Sequence, residues 1–329
     1  MEVFQVFDRP APQAFYSVAG RLLFVESNDR ELRSLIVELF AGWQLTPVPD
    51  PHRSPDIRIS FHCGETPQEI RSDLDHFEVA EGGVCYTDGA DFYLALGRSL
   101  IHLQHGSPIA IDVSLRELPA AGDPMLARAT SFAVCAGLRR FGLFDLHSAG
   151  VVDPSDGKGV LIVGRSGGGK STLAVQLATA GWSYLSDDEL LLSLVDGAVE
   201  ARGFRSFFAM STGTEGGSFK HCFEPDTVFG AQRAPHVLPG VVLFTSLNHE
   251  AKSRLDKLTQ TETMMRLIRA CPWATYDTSI ASANLEVLSA LARQANGFDL
   301  AAGRDLLTAG FAADLLGNVV LGRGQYRPR

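Results

Sequence analysis

Val160-Leu161-Ile162-Val163-Gly164-Arg165-Ser166-Gly167-Gly168-Gly169-Lys170-Ser171-Thr172-Leu173-Ala174 is the stretch that decides the reading of this chain. Gly164 to Ser171 match G-x-x-x-x-G-K-[ST], preceded by an apolar run with the length of a buried strand and followed by a helical pattern from Thr172 to Ala180. In such a turn the glycines let backbone N–H groups curl around phosphate oxygens, and the helix start adds its partial positive charge. Gly164, Arg165, Ser166, Gly167, Gly168, Gly169, Lys170, Ser171 and Thr172 are therefore the expected nucleotide-binding set. Lys170 is expected to reach the β- and γ-phosphates and Ser171 to offer its hydroxyl to Mg²⁺. Leu173, Ala174, Leu177 and Ala178 would pack the helix on a sheet, and Gly181 would end it.

The same residues carry a second pattern. Gly164-Arg165-Ser166-Gly167-Gly168 fits G-x-S-x-G, the nucleophile elbow of α/β-hydrolases, in which Ser166 would attack and an acid and then a histidine would follow; Asp187 and His221, His236 or His249 are in the right chain order. An elbow has no use for Gly169-Lys170-Ser171, so the phosphate reading leads. Ser166→Ala separates the two, since a phosphate turn tolerates the change and an elbow does not.

Downstream, Asp187-Asp188-Glu189 close the expected strand Trp182 to Ser186. Strands of a layered sheet end at a common edge, so these carboxylates can face the terminal phosphate, and consecutive strand residues point to opposite sides. One Asp would then bind the metal while the other takes the proton of an incoming hydroxyl.

Together with His147 in Leu146-His147-Ser148-Ala149-Gly150-Val151, this arrangement resembles the catalytic domain of the HPr kinase/phosphorylase family, whose fold is related to that of phosphoenolpyruvate carboxykinase. The resemblance spans residues 124–329 and is concentrated in Gly164 to Asp188. It implies an α/β P-loop catalytic domain and an ATP- and Mg²⁺-dependent serine kinase acting on a protein or peptide. In that pattern Asp187 is the general base, Asp188 and Ser171 hold the metal, and His147 approaches the acidic pair. Glu200-Ala201-Arg202-Gly203 echoes the family's Glu-x-Arg-Gly segment, which would make Glu200 a third metal ligand. Leu190 to Arg202 reads equally well as a hairpin turning at Asp196-Gly197.

His147 is followed by Ser-Ala-Gly where the enzymes that act on HPr have Gly directly, and the N-terminal half has no match to their regulatory domain. A peptide or small protein with an acceptor serine is accordingly the expected partner, as in the lasso-peptide precursor kinases of this type. A P-loop ATPase or switch without an acceptor is the alternative. A guanine-specific switch would show Asn-Lys-x-Asp, which the sequence lacks, and motor-type ATPases carry their acidic strand farther from the phosphate turn. Arg202, Arg205 and Arg233 are candidates to neutralise charge on the transferred group.

Outward from this core the chain is ordinary for a globular protein. Its 329 residues suit about two domains. At 45 % hydrophobic and 20 % charged it has material for a substantial core. The 29 basic and 38 acidic residues leave a net charge of −9, which disfavours nucleic acid as partner. No apolar run has the length of a membrane span and the start does not read as a signal peptide, so a cytoplasmic protein is expected. The five cysteines are scattered without a C-x-x-C pair and read as buried thiols.

The first half offers strand-like runs in Phe15 to Glu26, Asp56 to Cys63, Gly82 to Asp88, Asp91 to Gly97 and Ser107 to Leu115, with a hairpin turn at Asp88-Gly89. Asn28 would cap one helix carrying Leu32, Leu35, Ile36, Leu39 and Phe40. His102 and His105 have a metal-like spacing but would point to opposite faces of a strand, so they read as structural. Asp123-Pro124 is a helix entry. A smaller mixed α/β domain is thus expected over residues 1–122 and the catalytic domain over 123–329. Ser211 to Ser218 reads as a loop. Leu255 to Ile268 and Leu285 to Ala295 carry helical stripes for core or subunit packing, and a homo-oligomer is expected.

Overall fold

A computed structural model of the chain describes residues 14–64, 70, 73–79, 83–87, 91–212, 219–248 and 250–320. Asp88-Gly89, His249 and most of Ser211 to Ser218 lie outside the described residues, as does the side chain of His221. The chain divides into two compact units, residues 1–41 with 45–138, and residues 42–44 with 139–329. Among the described residues no helix is long and apolar enough to cross a membrane.

Among the described residues the first unit is a nine-stranded sheet with two helices. Its strands are β1 (Ala14–Val18), β2 (Arg21–Ser27), β3 (Thr46–Pro47), β4 (Ile57–Cys63), β5 (Asp75–Val79), β6 (Gly83–Thr87), β7 (Asp91–Leu96), β8 (Ser99–Gln104) and β9 (Ile109–Leu115), in the order β3-β1-β2-β4-β9-β8-β7-β6-β5. The expected run from Phe15 to Glu26 is a hairpin, because Ala19 and Gly20 both adopt positive φ and fold β1 back on β2. Helix α1 (Arg30–Ala41) buries Leu32, Ile36 and Phe40. Its cap is Asp29 rather than Asn28: Asp29 Oδ1 accepts from Leu32 N at 2.7 Å, while Asn28 Oδ1 is taken by Cys63 N. Strand β8, unread in the sequence, buries His102 against Tyr93 in a stacked pair 4.1 Å apart, with Nε2 on Asp91, so this histidine is structural.

Helix α2 (Pro124–Arg139) starts where Asp123 Oδ1 accepts from Met125 N. It packs into the first unit: Phe132 stacks on Phe92, and Gly137 lies so close to the sheet that a Cβ there would meet Ile57 at 2.9 Å. The junction expected before Asp123 therefore falls after this helix, at Arg139.

In the second unit β10 (Phe144–Leu146), β14 (Leu190–Val195), β15 (Ala198–Gly203) and β18 (His236–Val237) form one small sheet, and β16 (Phe208–Thr212) pairs with β17 (Phe219–Phe223). The main sheet has six strands in the order β13-β11-β12-β19-β21-β20: β11 (Ser148–Val152), β12 (Gly159–Val163), β13 (Ser183–Ser186), β19 (Pro239–Leu247), β20 (Arg254–Lys257) and β21 (Asn296–Ala302). Strands β12, β19 and β21 run parallel, and β11 runs antiparallel to both β12 and β13.

All five residues of β12 are buried, as a central strand covered on both faces requires. Val160 and Ile162 face a core shared with α3 (Lys170–Thr179) and α8 (Ala309–Leu315). Leu161 and Val163 face the opposite core, shared with α5 (Gln260–Ala270) and α7 (Ala281–Gln294). Short helices α4 (Pro225–Phe229) and α6 (Trp273–Tyr276) complete the unit.

The helical stripe expected from Leu255 begins instead as strand β20. The helix waits for Thr259, whose hydroxyl accepts from Glu262 N while Glu262 reaches back to Thr259 N, a reciprocal cap. The cysteines form no disulfide; Cys85, Cys135 and Cys271 are buried, but Cys222 is exposed and Cys63 half-buried, contrary to a uniformly buried set.

Candidate functional site

Sheet topology gathers the site before any side chain is considered. Strands β12 and β13 both run antiparallel to β11, so their C-terminal ends share an edge, and the parallel strands β19 and β21 end there too. At that edge lie the turn after Val163, Asp187 after Ser186, Thr245 to Leu247, and Gly303 after Ala302. Because β11 is antiparallel, its first residue Ser148 pairs with Val163, and His147 just before it arrives at the same edge.

The turn from Gly164 to Gly169 requires its glycines for different reasons. Gly167 and Gly169 adopt φ of 76° and 88°, the left-handed region that side chains resist. Gly164 has an ordinary φ but no room: a Cβ would stand 2.6 Å from the carbonyl oxygen of Thr245. Thr245 Oγ1 in turn donates to Gly168 O at 3.1 Å. Helix α3 begins at Lys170 directly after the turn, and its first turn lines the cavity.

Lys170 is buried, and its ammonium donates to His147 Nε2 at 2.9 Å and to Gly164 O at 3.0 Å. An ammonium only donates, so Nε2 accepts and the ring proton sits on Nδ1, which lies 3.3 Å from Asp188 Oδ1. Lysine, histidine and aspartate thus form one chain across the edge.

The two aspartates differ sharply. Asp187 is 2 % exposed and its carboxylate accepts from Ser171 Oγ at 2.7 Å and from Ala209 N at 3.0 Å. Burial pushes its pKa above the usual carboxylate range, with the neighbouring Asp188 charge acting in the same direction and the two hydrogen bonds opposing. Asp188 is exposed, with φ at 71°, a strained value for a residue with a Cβ. That backbone twist separates the two carboxylates and turns Asp188 to the cavity.

This cavity, of about 430 Å³, is lined by Ser166 and Gly167, by Gly169 to Leu173, by Asp188, and by Ala209, Thr245 and Leu247. Ala302 to Arg304, Leu306 and Leu307 close its far side.

A strap of three residues holds the aspartate turn from behind. Gln44 Nε2 donates to Leu185 O at 2.6 Å and to Arg205 O at 2.8 Å, and Gln44 N donates to Phe204 O. Trp43 lies against Phe204, and the Arg205 guanidinium sits 4.4 Å over the Trp43 ring while pairing with Glu189 at 3.0 Å. Ser186 Oγ, the residue before Asp187, accepts from Arg205 N at 2.8 Å.

Lys170, Ser171, Asp187, Asp188 and His147 therefore meet at one edge, and Gly164 to Thr172 form the turn and helix start. Glu200 does not join them. It lies inside β15 of the small sheet, where its carboxylate pairs with Arg202 and with His236 at 2.7 Å, and it does not line the cavity. The hairpin turning at Asp196-Gly197, with φ of 49° and 82°, accounts for this segment.

Nor do the three expected arginines line the cavity: Arg202 holds Glu200, Arg205 holds Glu189, and Arg233 donates to Tyr184 Oη and Ser206 O. Arg304 lines it instead, a residue that no sequence pattern singles out. Ser166 is exposed on the turn. Of the histidines a hydrolase could use, His236 is engaged by Glu200.

No protein-family model matches the chain, and no curated protein matches it in sequence. Among solved structures it is similar to the Hpr(Ser) kinase/phosphatase from Coxiella burnetii, at 13 % identity and a TM-score of 0.32, over 55 % of this chain and 99 % of that one. This is a distant structural relation.

Proposed function

We propose that the chain is an ATP-dependent phosphotransferase that moves the γ-phosphoryl group to a serine hydroxyl of a protein or peptide. The observation that carries this reading is the convergence at one sheet edge of a left-handed glycine turn, Lys170 and the divided pair Asp187 and Asp188, of which Asp188 lines the cavity and Asp187 lies buried behind it on Ser171. A phosphoryl transfer needs little covalent chemistry from the protein; it needs positioning, positive charge at the phosphates and a group for the acceptor proton.

The turn and the first N–H groups of α3 supply dipoles for phosphate oxygens, and Lys170 supplies a full positive charge. With nucleotide bound, the Lys170 ammonium would exchange His147 and Gly164 O for phosphate oxygens. The oxygen donors of Ser171 and Asp187 suit a hard, small divalent cation, and they would hold Mg²⁺ directly or through its waters. When bound, the ion neutralises phosphate charge.

In our reading the two aspartate roles are the reverse of those the resemblance implies. A base must touch the acceptor hydroxyl, and of the two carboxylates Asp188 is the one that lines the cavity. Asp188 then accepts the serine proton, His147 Nδ1–H orients it, and buried Asp187 fixes Ser171.

The test is incubation of the protein with γ-labelled ATP, Mg²⁺ and the peptide or small-protein products of neighbouring genes, followed by mass spectrometry of the labelled chain. Label on a serine supports the transferase. Release of inorganic phosphate alone, with no labelled acceptor, would favour an ATPase or switch.

A further inference from the structure

The cavity has two ends, and strand order distinguishes them. Asp188 follows β13, on one side of the glycine turn, whereas β19 and β21 lie on the other side of β12 and contribute Leu247 and residues 302–307. A row of phosphates lying in the turn, with its terminal group toward Asp188, must carry its opposite end toward Leu247 and Leu307.

That end has a different chemistry. Leu247 and Leu307 are 49 % and 59 % exposed, while Leu306 beneath is buried. Large apolar side chains flanking a cavity leave surface that water solvates poorly and that a flat heterocycle would cover. Leu247 also abuts the turn, since a Cβ on Gly169 would meet its Cδ2 at 3.2 Å.

The backbone here is firmly built. Gly303 N donates to Ser253 Oγ, Ser253 N donates to Asp305 Oδ2, and Arg304 N donates to Glu250 O, each at 2.9 Å. A Cβ on Gly303 would stand 2.5 Å from the carbonyl carbon of Lys252, so the turn is held tight and presents exposed Arg304 to the cavity. Lys170 and Arg304 are the two cationic side chains among the described residues lining it.

We propose that this end seats the nucleoside of the phosphate donor, with the base against Leu247 and Leu307 and the Arg304 guanidinium on the phosphates nearest the ribose. The inference rests on the nucleotide reading above and adds the ligand's direction and the residues that hold its far end. A base held by apolar contact, with the cation on the phosphates, is bound mainly by surface burial, so nucleoside triphosphates as a class are the ligands.

Magnesium tripolyphosphate, which has the phosphates but no nucleoside, isolates this end. Titration calorimetry on the full chain is expected to show Mg·ATP binding at least about tenfold tighter than Mg·tripolyphosphate. The double variant Leu247→Ala with Leu307→Ala, both on the surface, should lose about tenfold in Mg·ATP affinity and leave tripolyphosphate unchanged. Arg304→Ala should weaken both ligands, and Arg304→Lys should restore part of the loss. If the leucine variant keeps the wild-type preference for ATP, or the wild type shows no preference, the nucleoside lies elsewhere. If the wild type binds neither ligand, the nucleotide reading itself falls, a result separate from these.

Discussion

Two adjacent carboxylates in one turn carry different burdens because their surroundings differ. Asp188 faces the cavity with His147 beside it, whereas Asp187 is enclosed with Ser171 and Ala209 N. Asp188→Asn is expected to lower the transfer rate by about 10²–10⁴-fold, the usual contribution of a positioned base, while Mg·ATP affinity changes little. Lys170→Ala should abolish turnover through loss of binding itself, and comparing kcat with the nucleotide Kd separates the two.

For Asp187 the prediction concerns stability. A carboxyl whose pKa is raised on folding holds more protons folded than unfolded, so stability falls as pH rises from its ordinary value of 3.8 through the raised one. Asp187→Asn removes this loss and keeps an acceptor for Ser171. In the absence of nucleotide its melting temperature should exceed that of the parent by a margin that grows as pH is raised from about 4 toward neutrality. A margin that does not change with pH would contradict the assignment of a buried, charge-strained Asp187.

At the scale of elements, the turn and the strand-helix pair around it were legible because their chemistry is local. Gly164 to Ser171 sit where apolar β12 gives way to α3, and a turn of this kind is written in consecutive residues. His147 was legible only through the resemblance; its physical reason, an antiparallel β11 whose start pairs with Val163, is a topological fact absent from local sequence. At Glu200 a short motif and a hairpin turning at Asp196-Gly197 compete in the sequence, and the strand pairing of β14 with β15 follows the hairpin.

The strap at Trp43 and Gln44 could not be read at all, since its partners Leu185 and Arg205 are remote in sequence and the contacts are mainly to backbone carbonyls. Gln44→Ala removes the donor to two carbonyls and should cost about 1–3 kcal/mol of stability, measured by denaturant unfolding. The same variant should lower kcat more than it changes KM for ATP, because the strap braces the Asp187 and Asp188 turn and not the glycine turn. Gln44→Glu, which lacks the amide donor, should not rescue it.

The whole molecule joins two units of unlike design. The first is a nine-stranded mixed sheet whose central strands were legible from alternating apolar runs, and whose β5 and β8 were missed because polar and histidine-bearing stretches blur the period. Asp123-Pro124 marks where helix α2 starts and carries no information about which sheet the helix covers; by its contacts it belongs to the first unit. In the second unit the strand order places the glycine turn, the two aspartates and the apolar Leu247 and Leu307 along a single edge, so one elongated ligand can span them.

A crystal structure of the protein with Mg²⁺ and a non-hydrolysable ATP analogue tests that arrangement most directly. The triphosphate is expected to be wrapped by Gly164 to Ser171, with its terminal phosphate facing Asp188 and His147 and the Lys170 ammonium moved off His147 onto phosphate oxygen. An analogue bound away from this turn, or bound in it with its terminal phosphate directed toward Leu307, would contradict it.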